Sequence, residues 1–583
     1  NVENFEDEIG KKLGFKPRDF QDRAIKAQLL RKDTLVQAAT GSGKTLIAAA
    51  PHYHASAKGM ITLFVSPLIA LQNEQVLTFE KEFKLRAVAV NSSHGGCSPE
   101  VLEVRMQCHL HLVNIHLDKE NGPQIVIISP ELLLSRRFID IVLRDKTFTS
   151  RVLSVVVDEA HVVSHWGAGF RKKYGELGML RAFLPRGTSM VAMSATLSPG
   201  VRSDVLRKLE FDEANYEACD AGNDRPNVSL VVRAIEHTQE SLADLNFVIP
   251  KDVKKVEDIP LTMIYADSVP LGPDIVQHLD RLLPAHLQGL GVVRPFSAAG
   301  TQEYRTDAMT EFKSGTSVRV LVCTDAAGMG CNIPAVDIVV QWKLPSSLSL
   351  FVQRAGRAAR DPSRKGVGIL LVERSAYSLV LEEQVTNKSA TKGKGNNKKG
   401  RGGNKRTKKA IQEHAAANGV HRGSHSGAKD EIVGEPREVE PDAFATDEGL
   451  LAFVHTTACR RLVLTKVYHN KITPKPPHCC DLCDPTLLDK CRPGPRPPKP
   501  TQQKKNLGDV IVPEVQSAIW DWRESVYDRD YSGAIFGPSA LLSDAVVDDL
   551  ALAGKIKTLE RLKLIIGAWK LWDTYSDELL AVL

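Results

Sequence analysis

Short apolar runs that do not alternate with polar residues recur along the first two thirds of the chain, each too brief to be a helix of its own. Val152 to Val157, in RVLSVVVDEAH, sets the type: it is β-branched and unbroken, as a strand buried on both faces should be. The strand around Val36 and the runs MITLFVSP, LRAVAV, QIVIISP and SMVAMSAT repeat it, separated by helical or loop stretches. This alternation predicts an α/β fold, a parallel sheet covered by helices on both sides. After about residue 220 the pattern restarts with VSLVVRAI, LTMIYAD, VVRPFSAAG, VRVLVCTDA, DIVVQWKLP and GVGILLV, which predicts a second domain of the same kind. The predicted division is 1–219 and 220–385 for these two domains, then a basic insertion at 386–429, a cysteine-bearing segment at 430–495 and a proline-rich, polar linker at 496–510. From 511 to 583 a helical domain is expected, because Ile519, Trp522, Leu550, Leu562, Ile565, Trp572, Leu579 and Leu583 fall at three- and four-residue spacing.

The ends of these strands carry the chemistry. Asp158 and Glu159 follow Val157 directly, and two adjacent acids at the tip of a buried strand need a partner, since an unpaired buried charge is costly. A magnesium ion is one such partner: the first carboxylate orients the metal and its water, the second the water that attacks a γ-phosphate. The chain also holds a phosphate cradle, AATGSGKT at Ala38 to Thr45, between the Val36 strand and the helix that begins at Leu46. Thr40, Gly41, Ser42 and Gly43 would turn backbone amides toward an anion, Lys44 would reach the β and γ phosphates, and Thr45 would offer its hydroxyl to magnesium. Ala38 stands where the first glycine of such a loop is usual. Upstream, Gln21 is a candidate reader of an adenine edge, with Arg18 supporting it. In the second domain, FVQRAGRAARD sets Gln353, Arg357 and Arg360 near helical spacing on one face. Guanidinium groups aimed at a triphosphate from the other domain would stabilise developing charge only when the two halves close.

Composition narrows the class. Apolar residues at 43% and charged residues at 25% are those of a globular protein. No apolar run approaches the roughly 18 residues of a membrane helix; with no basic-then-apolar leader either, an intracellular protein without a membrane partner is expected. The net charge of +6 is modest, so a nucleic-acid partner has to be argued from where the charge sits. It sits in TNKSATKGKGNNKKGRGGNKRTKKA, which has ten lysines and arginines and no acid. That stretch is expected to be disordered, to track phosphates or to act as a nuclear-import signal. Ten cysteines are too sparse for a disulfide scaffold, and four of the last five fall between Cys479 and Cys491, which points to metal. Cys459 followed some twenty residues later by Cys480-x-x-Cys483 suits a tetrahedral structural zinc.

In order, AATGSGKT, SPLIALQNEQ, DEAH, SAT, CTDAAGMGCNIPAVD and QRAGRAARD resemble the motor of superfamily 2 helicases. The run VVSHWGAGFRKKY after DEAH, NDRPN at 223–227 and the helix ACRRLVL resemble, within these, the RecQ family of DNA helicases. The resemblance implies two RecA-like motor domains in tandem, a zinc-binding helical segment and a C-terminal bundle similar to an HRDC domain. It implies ATP and Mg2+ at Arg18, Gln21, Lys44, Thr45 and Asp158, Glu159 as the catalytic base within Asp158 to His161, and an arginine finger from Arg357 or Arg360 beside Gln353. It also implies DNA contact by Trp166, Phe170 and Arg171, in a loop that departs from the family pattern at Ala168 and Gly169. RecQ proteins carry four cysteines behind the second motor domain. Here Pro477 breaks the usual CxxCxxC, so Cys479 is taken as the fourth zinc ligand, with His478 and then Cys491 as alternatives. The implied activity is a 3′ to 5′ ATP-dependent DNA helicase acting on single-stranded, forked or tailed DNA, monomeric and nuclear. The stretch between the cysteines and the C-terminal bundle is too short for the winged-helix domain of many RecQ proteins. A DNA-stimulated translocase without processive unwinding, or a DEAH-type RNA helicase, are the other readings.

Overall fold

The computed structural model describes residues 5–67, 69–90, 122–165, 172–325, 333, 335–378, 438, 440–442, 444–445, 447–471, 475–495, 511–531, 537–566, 569 and 571–583. The basic insertion and the loop with Trp166, Phe170 and Arg171 lie outside the described residues. The chain separates into two compact units, 1–496 and 497–583.

The first unit holds two sheets. One runs β3-β4-β2-β5-β6-β1-β7, with β1 Asp33–Ala38, β2 Ile61–Val65, β3 Ala87–Val90, β4 Ile125–Ile128, β5 Val152–Val157, β6 Ser189–Ser194 and β7 Tyr216–Gly222. Every pairing is parallel, so all C-terminal strand ends share one edge, where ligands of open α/β sheets bind. Only β6 separates β1 from β5. At about 4.8 Å per strand the phosphate loop and the acids therefore rise roughly 10 Å apart on the same edge. β5 and β6 are buried throughout, which is why their sequence runs without alternation. β7 was not expected from the sequence: YEACDAG is half-exposed and polar, because it is an edge strand paired with β1 alone.

The second sheet runs β10-β11-β9-β12-β13-β8, again all parallel: β8 Val228–Ala234, β9 Thr262–Ala266, β10 Val293–Phe296, β11 Val320–Cys323, β12 Ile338–Trp342 and β13 Gly366–Val372. The helix Leu348–Ala355 crosses from β12 to β13 and lies so close to β13 that a Cβ at Gly368 would stand 2.8 Å from the Ala355 Cβ, and one at Gly366 2.9 Å from that of Ala358. The cysteine segment covers the open edge of this sheet. Leu230 N donates to Cys479 O at 3.3 Å and Asp481 N to Leu230 O at 3.0 Å, so the edge strand β8 is not left bare. Arg460 and Asp481 form a buried ion pair beneath it, 2.8 Å apart.

The unit from 497 on is a helical bundle: Pro513–Asp530, Asp544–Leu552, Leu559–Ile566 and Trp572–Val582. Ile519, Trp522, Leu550, Leu562, Ile565 and Leu579 form its core, with the Trp522 ring edge-on to Trp569 and Tyr575. No described helix is long and apolar enough to cross a membrane.

Candidate active site

The phosphate loop leaves β1 at Ala38 and ends in the helix Thr45–Ala49. Gly41 and Gly43 take φ of 79° and 81°, a region open to glycine at little cost, and this turns the loop tightly. Gln21, in the helix Asp19–Leu29, is buried against the loop. Its Nε2 donates to Gly43 O at 2.9 Å and Ser42 O at 3.3 Å, while its Oε1 accepts from Arg18 N at 2.8 Å. A Cβ on Gly43 would sit 2.9 Å from the Gln21 amide nitrogen, so the second glycine also makes room for this contact. The Arg18 side chain is exposed. Lys44 is folded over the loop, its Nζ donating to Ala38 O at 2.8 Å and Ala39 O at 3.0 Å.

Burial draws the Lys44 ammonium below its ordinary pKa; Glu159 and Asp158 oppose that, and Arg360 and Arg357 add to it. These four groups come from both sheets, so the field at Lys44 registers the meeting of the two halves. Asp158 is pushed up to about 7, first by burial and then by the charge of Glu159. Its Oδ2 accepts from Gln75 Nε2 at 3.1 Å and its Oδ1 from Glu159 N at 3.0 Å. Glu159 sits at φ 49°, a left-handed conformation that a side chain adopts only under constraint. His161 Nδ1 lies 2.9 Å from Ser194 Oγ and 3.5 Å from Glu159 Oε2, tying the acids to the end of β6. Asp158, within the field of Lys44, and Thr45, at the end of the phosphate loop, are hard oxygen donors of the kind magnesium takes.

From the second sheet, the arginines reach this seam by a route different from the expected one. The helix Leu348–Ala355 stops before Arg357, so Gln353, Arg357 and Arg360 do not share a helical face. Arg357 and Arg360 lie instead on the turn that follows, where Ala359 has φ 43°. The physical reason is competition for the carbonyls. Arg225 donates through Nη1 to Gly356 O at 3.1 Å and through Nη2 to Ala358 O at 3.4 Å and Ala359 O at 2.5 Å, and Asn227 Nδ2 donates to Ala359 O at 2.8 Å. Those donors hold the turn off the helical path. The same Arg225 Nη1 also donates across the seam to Thr40 O at 3.0 Å, joining the arginine turn to the phosphate loop. A Cβ on Gly356 would lie 3.7 Å from that of Thr40. Gln353 is buried, and its Nε2 has no hydrogen-bond partner among the described residues.

Four residues outside the expected set complete the geometry. Arg225 and Asn227 lie in NDRPN and Gln75 in SPLIALQNEQ, and no local pattern in either stretch singles them out. The fourth is Arg354, next to Gln353 and three positions before Arg357. It is buried, 2.7 Å from Asp267 and 2.5 Å from Asp325, and stacked 5.0 Å from the Tyr265 ring centre. Burial works against its charge, but the two aspartates overcome this and hold the guanidinium firmly protonated.

A second cluster lies behind the second sheet. The sulfurs of Cys459, Cys479, Cys480 and Cys483 all fall within 4.8 Å of one another, with 3.6 Å between 459 and 479, 3.9 Å between 459 and 480 and 3.5 Å between 480 and 483. A tetrahedral zinc with bonds of about 2.3 Å sets its sulfurs roughly 3.8 Å apart, so the residues fit that ion. His478 is turned to Asp484, Nδ1 to Oδ2 2.5 Å, and Cys491 packs in the core of the second sheet, its Sγ on Leu488 O.

Comparison with known proteins bears on these elements. The DEAD/DEAH box helicase family matches residues 18–204, and the helicase conserved C-terminal domain matches 274–362. The ATP-dependent DNA helicase RecQ of Haemophilus influenzae is 27% identical over 466 residues, covering 80% of this chain and 61% of that protein. The probable ATP-dependent DNA helicase RecS of Bacillus subtilis is 29% identical, covering 63% and 65%, and RecQ of Pasteurella multocida 30% identical, covering 59% and 48%. The chain thus spans less than two thirds of the length of each of these relatives.

Proposed function

The chain belongs to the RecQ family of DEAD/DEAH-box helicases, and we propose that it is an ATP-dependent DNA helicase that works its nucleotide in the seam between its two sheets. The observation that carries the proposal is the junction of the arginine turn with the phosphate loop: Arg225 Nη1 donates both to Gly356 O at 3.1 Å and to Thr40 O at 3.0 Å, and a Cβ on Gly41 would lie 4.0 Å from Arg360 O. Neither sheet assembles that junction alone.

In this reading Lys44 exchanges the carbonyls of Ala38 and Ala39 for the β and γ phosphates of ATP. Thr45 and Asp158 would hold magnesium, which would supply charge neutralisation and an ordered water shell. Glu159 orients the attacking water, and His161 holds Glu159 against Ser194. Arg357 and Arg360 meet the charge that builds on the transferred phosphoryl group and lose it after hydrolysis, so that the halves are released. Repeated closing and release would advance the protein 3′ to 5′ along single-stranded DNA, with the segment Trp166 to Arg171 in contact with it. The four clustered thiols would hold a structural zinc, and the protein would act as a monomer in the nucleus.

A second reading, a DNA translocase that does not unwind processively, is favoured by the short stretch from Arg492 to Val512 between the cysteine segment and the helical bundle, too short for a winged helix. Lys44→Ala should abolish DNA-stimulated ATP hydrolysis without lowering the melting temperature; persistent turnover would refute the nucleotide site. Unwinding of 3′-tailed but not 5′-tailed duplexes supports the helicase, and hydrolysis without unwinding the translocase. Stimulation by RNA in place of DNA would overturn both.

A further inference from the structure

The segment from Asp447 to Asn470 spans both halves of the motor, and several of its polar side chains, Asp447, Glu448, Arg460, Arg461 and Asn470 among them, are buried there. Glu448, only 3% exposed, takes a left-handed φ of 54° that a residue with a Cβ keeps only where its surroundings fix it. One of its carboxylate oxygens accepts from Ser198 Oγ at 3.3 Å, the other from Ser349 N at 3.2 Å. Ser198 opens the helix Pro199–Lys208, just after the Ser194 that holds His161. Ser349 lies in the first turn of Leu348–Ala355, the helix that delivers the arginine turn. A second thread runs alongside. Gln37, on β1 next to the phosphate loop, donates through Nε2 to Tyr468 O at 3.0 Å, and the Tyr468 hydroxyl lies 2.8 Å from Ser349 Oγ. Both threads leave strand ends that line the nucleotide seam, cross through the same C-terminal segment and finish on the same residue of the opposite half.

We propose that Glu448 is a positioning residue, the centre of a latch that sets the separation of the two motor halves before nucleotide binds. The inference rests on the ATP-driven reading above and adds to it the element that governs closure. A carboxylate between the first turns of two helices is favoured by both helix dipoles and by charge-assisted hydrogen bonds. Separating the halves removes the Ser198 contact and leaves the Ser349 one. Without the latch an open form gains population, and ATP must first close it. The apparent affinity for ATP then falls by the fraction that is open, while turnover of the closed form is unchanged.

The test uses the full chain with dyes on azide-bearing residues at the exposed positions 82 and 307, one in each half. In the absence of nucleotide, E448A should lengthen and broaden the distance distribution. S198A, which leaves Glu448 and Ser349 in place, should shift it the same way by less. E448A should raise the KM for ATP by about 10-fold with kcat within about twofold of the parent. Distances and KM unchanged in both variants would overturn the latch, whatever happens to the melting temperature. Should E448A not fold, S198A decides alone. If the parent protein hydrolyses no ATP, the ATP reading fails, but the distance measurement still decides whether Glu448 holds the halves together.

Discussion

Arg225→Lys is the sharpest perturbation of the seam, because it keeps the charge and removes the shape. One guanidinium faces four carbonyl oxygens, those of Thr40, Gly356, Ala358 and Ala359, between 2.5 and 3.4 Å away. Its planar fork reaches them from two separate nitrogens, whereas a lysine ammonium offers three donors from a single point. At least one contact must lapse. At about 1.5 to 3 kcal/mol for each hydrogen bond to a charged group, the loss is about 1.5 to 3 kcal/mol or more. The turn is also supported by Asn227 and, through Asp224, by Arg461, so only part of that loss reaches the arginines. If about 2 kcal/mol is expressed as misplacement of Arg357 and Arg360 in the transition state, turnover falls about 30-fold. The assay is steady-state ATP hydrolysis at saturating single-stranded DNA, beside a thermal melt. A kcat within about threefold of the parent, with an unchanged melt, would refute the claim that Arg225 builds the turn that presents the arginines.

Three further outcomes are expected. Burial holds the His52 imidazole down at about 4 against an ordinary 6.5, its Nε2 on Thr62 Oγ1 at 2.8 Å. The unfolded chain thus takes up a proton that the folded one refuses: stability is full above pH 6.5 and falls by about 3 kcal/mol as the pH drops toward 4. His52→Gln should flatten that slope in denaturant titrations at pH 7 and 4.5, and parallel slopes would count against a buried neutral imidazole. Asp481→Ala should cost about 3–5 kcal/mol in the same titrations, because Arg460 is left buried without its carboxylate; a cost below about 1 kcal/mol would mean the pair is solvated. Metal analysis of the purified chain should find roughly one zinc, retained in His478→Ala and Cys491→Ser and lost in Cys479→Ser. Zinc lost from the His478 variant instead would move the fourth ligand.

Whatever depended on neighbours along the chain was legible in the residues themselves. The unalternating apolar runs specify strands buried on both faces. AATGSGKT holds glycines, lysine and threonine within eight consecutive positions, so its turn and its chemistry are written together. Asp158 and Glu159 follow their strand without a gap. Features whose partners are distant in sequence were not legible, because hydrophobic periodicity reports only on local geometry. The helix before Arg357 ends because donors at Arg225 and Asn227, more than 130 positions upstream, take the carbonyls of the turn. Gln75 meets Asp158 across 83 positions and Glu448 meets Ser198 across 250. Spacing left Cys479, His478 and Cys491 as competing ligands, and only the folded chain sets Cys479 among the other three sulfurs while turning His478 to Asp484. Local pattern chooses the elements; long-range packing alone chooses which of their side chains meet.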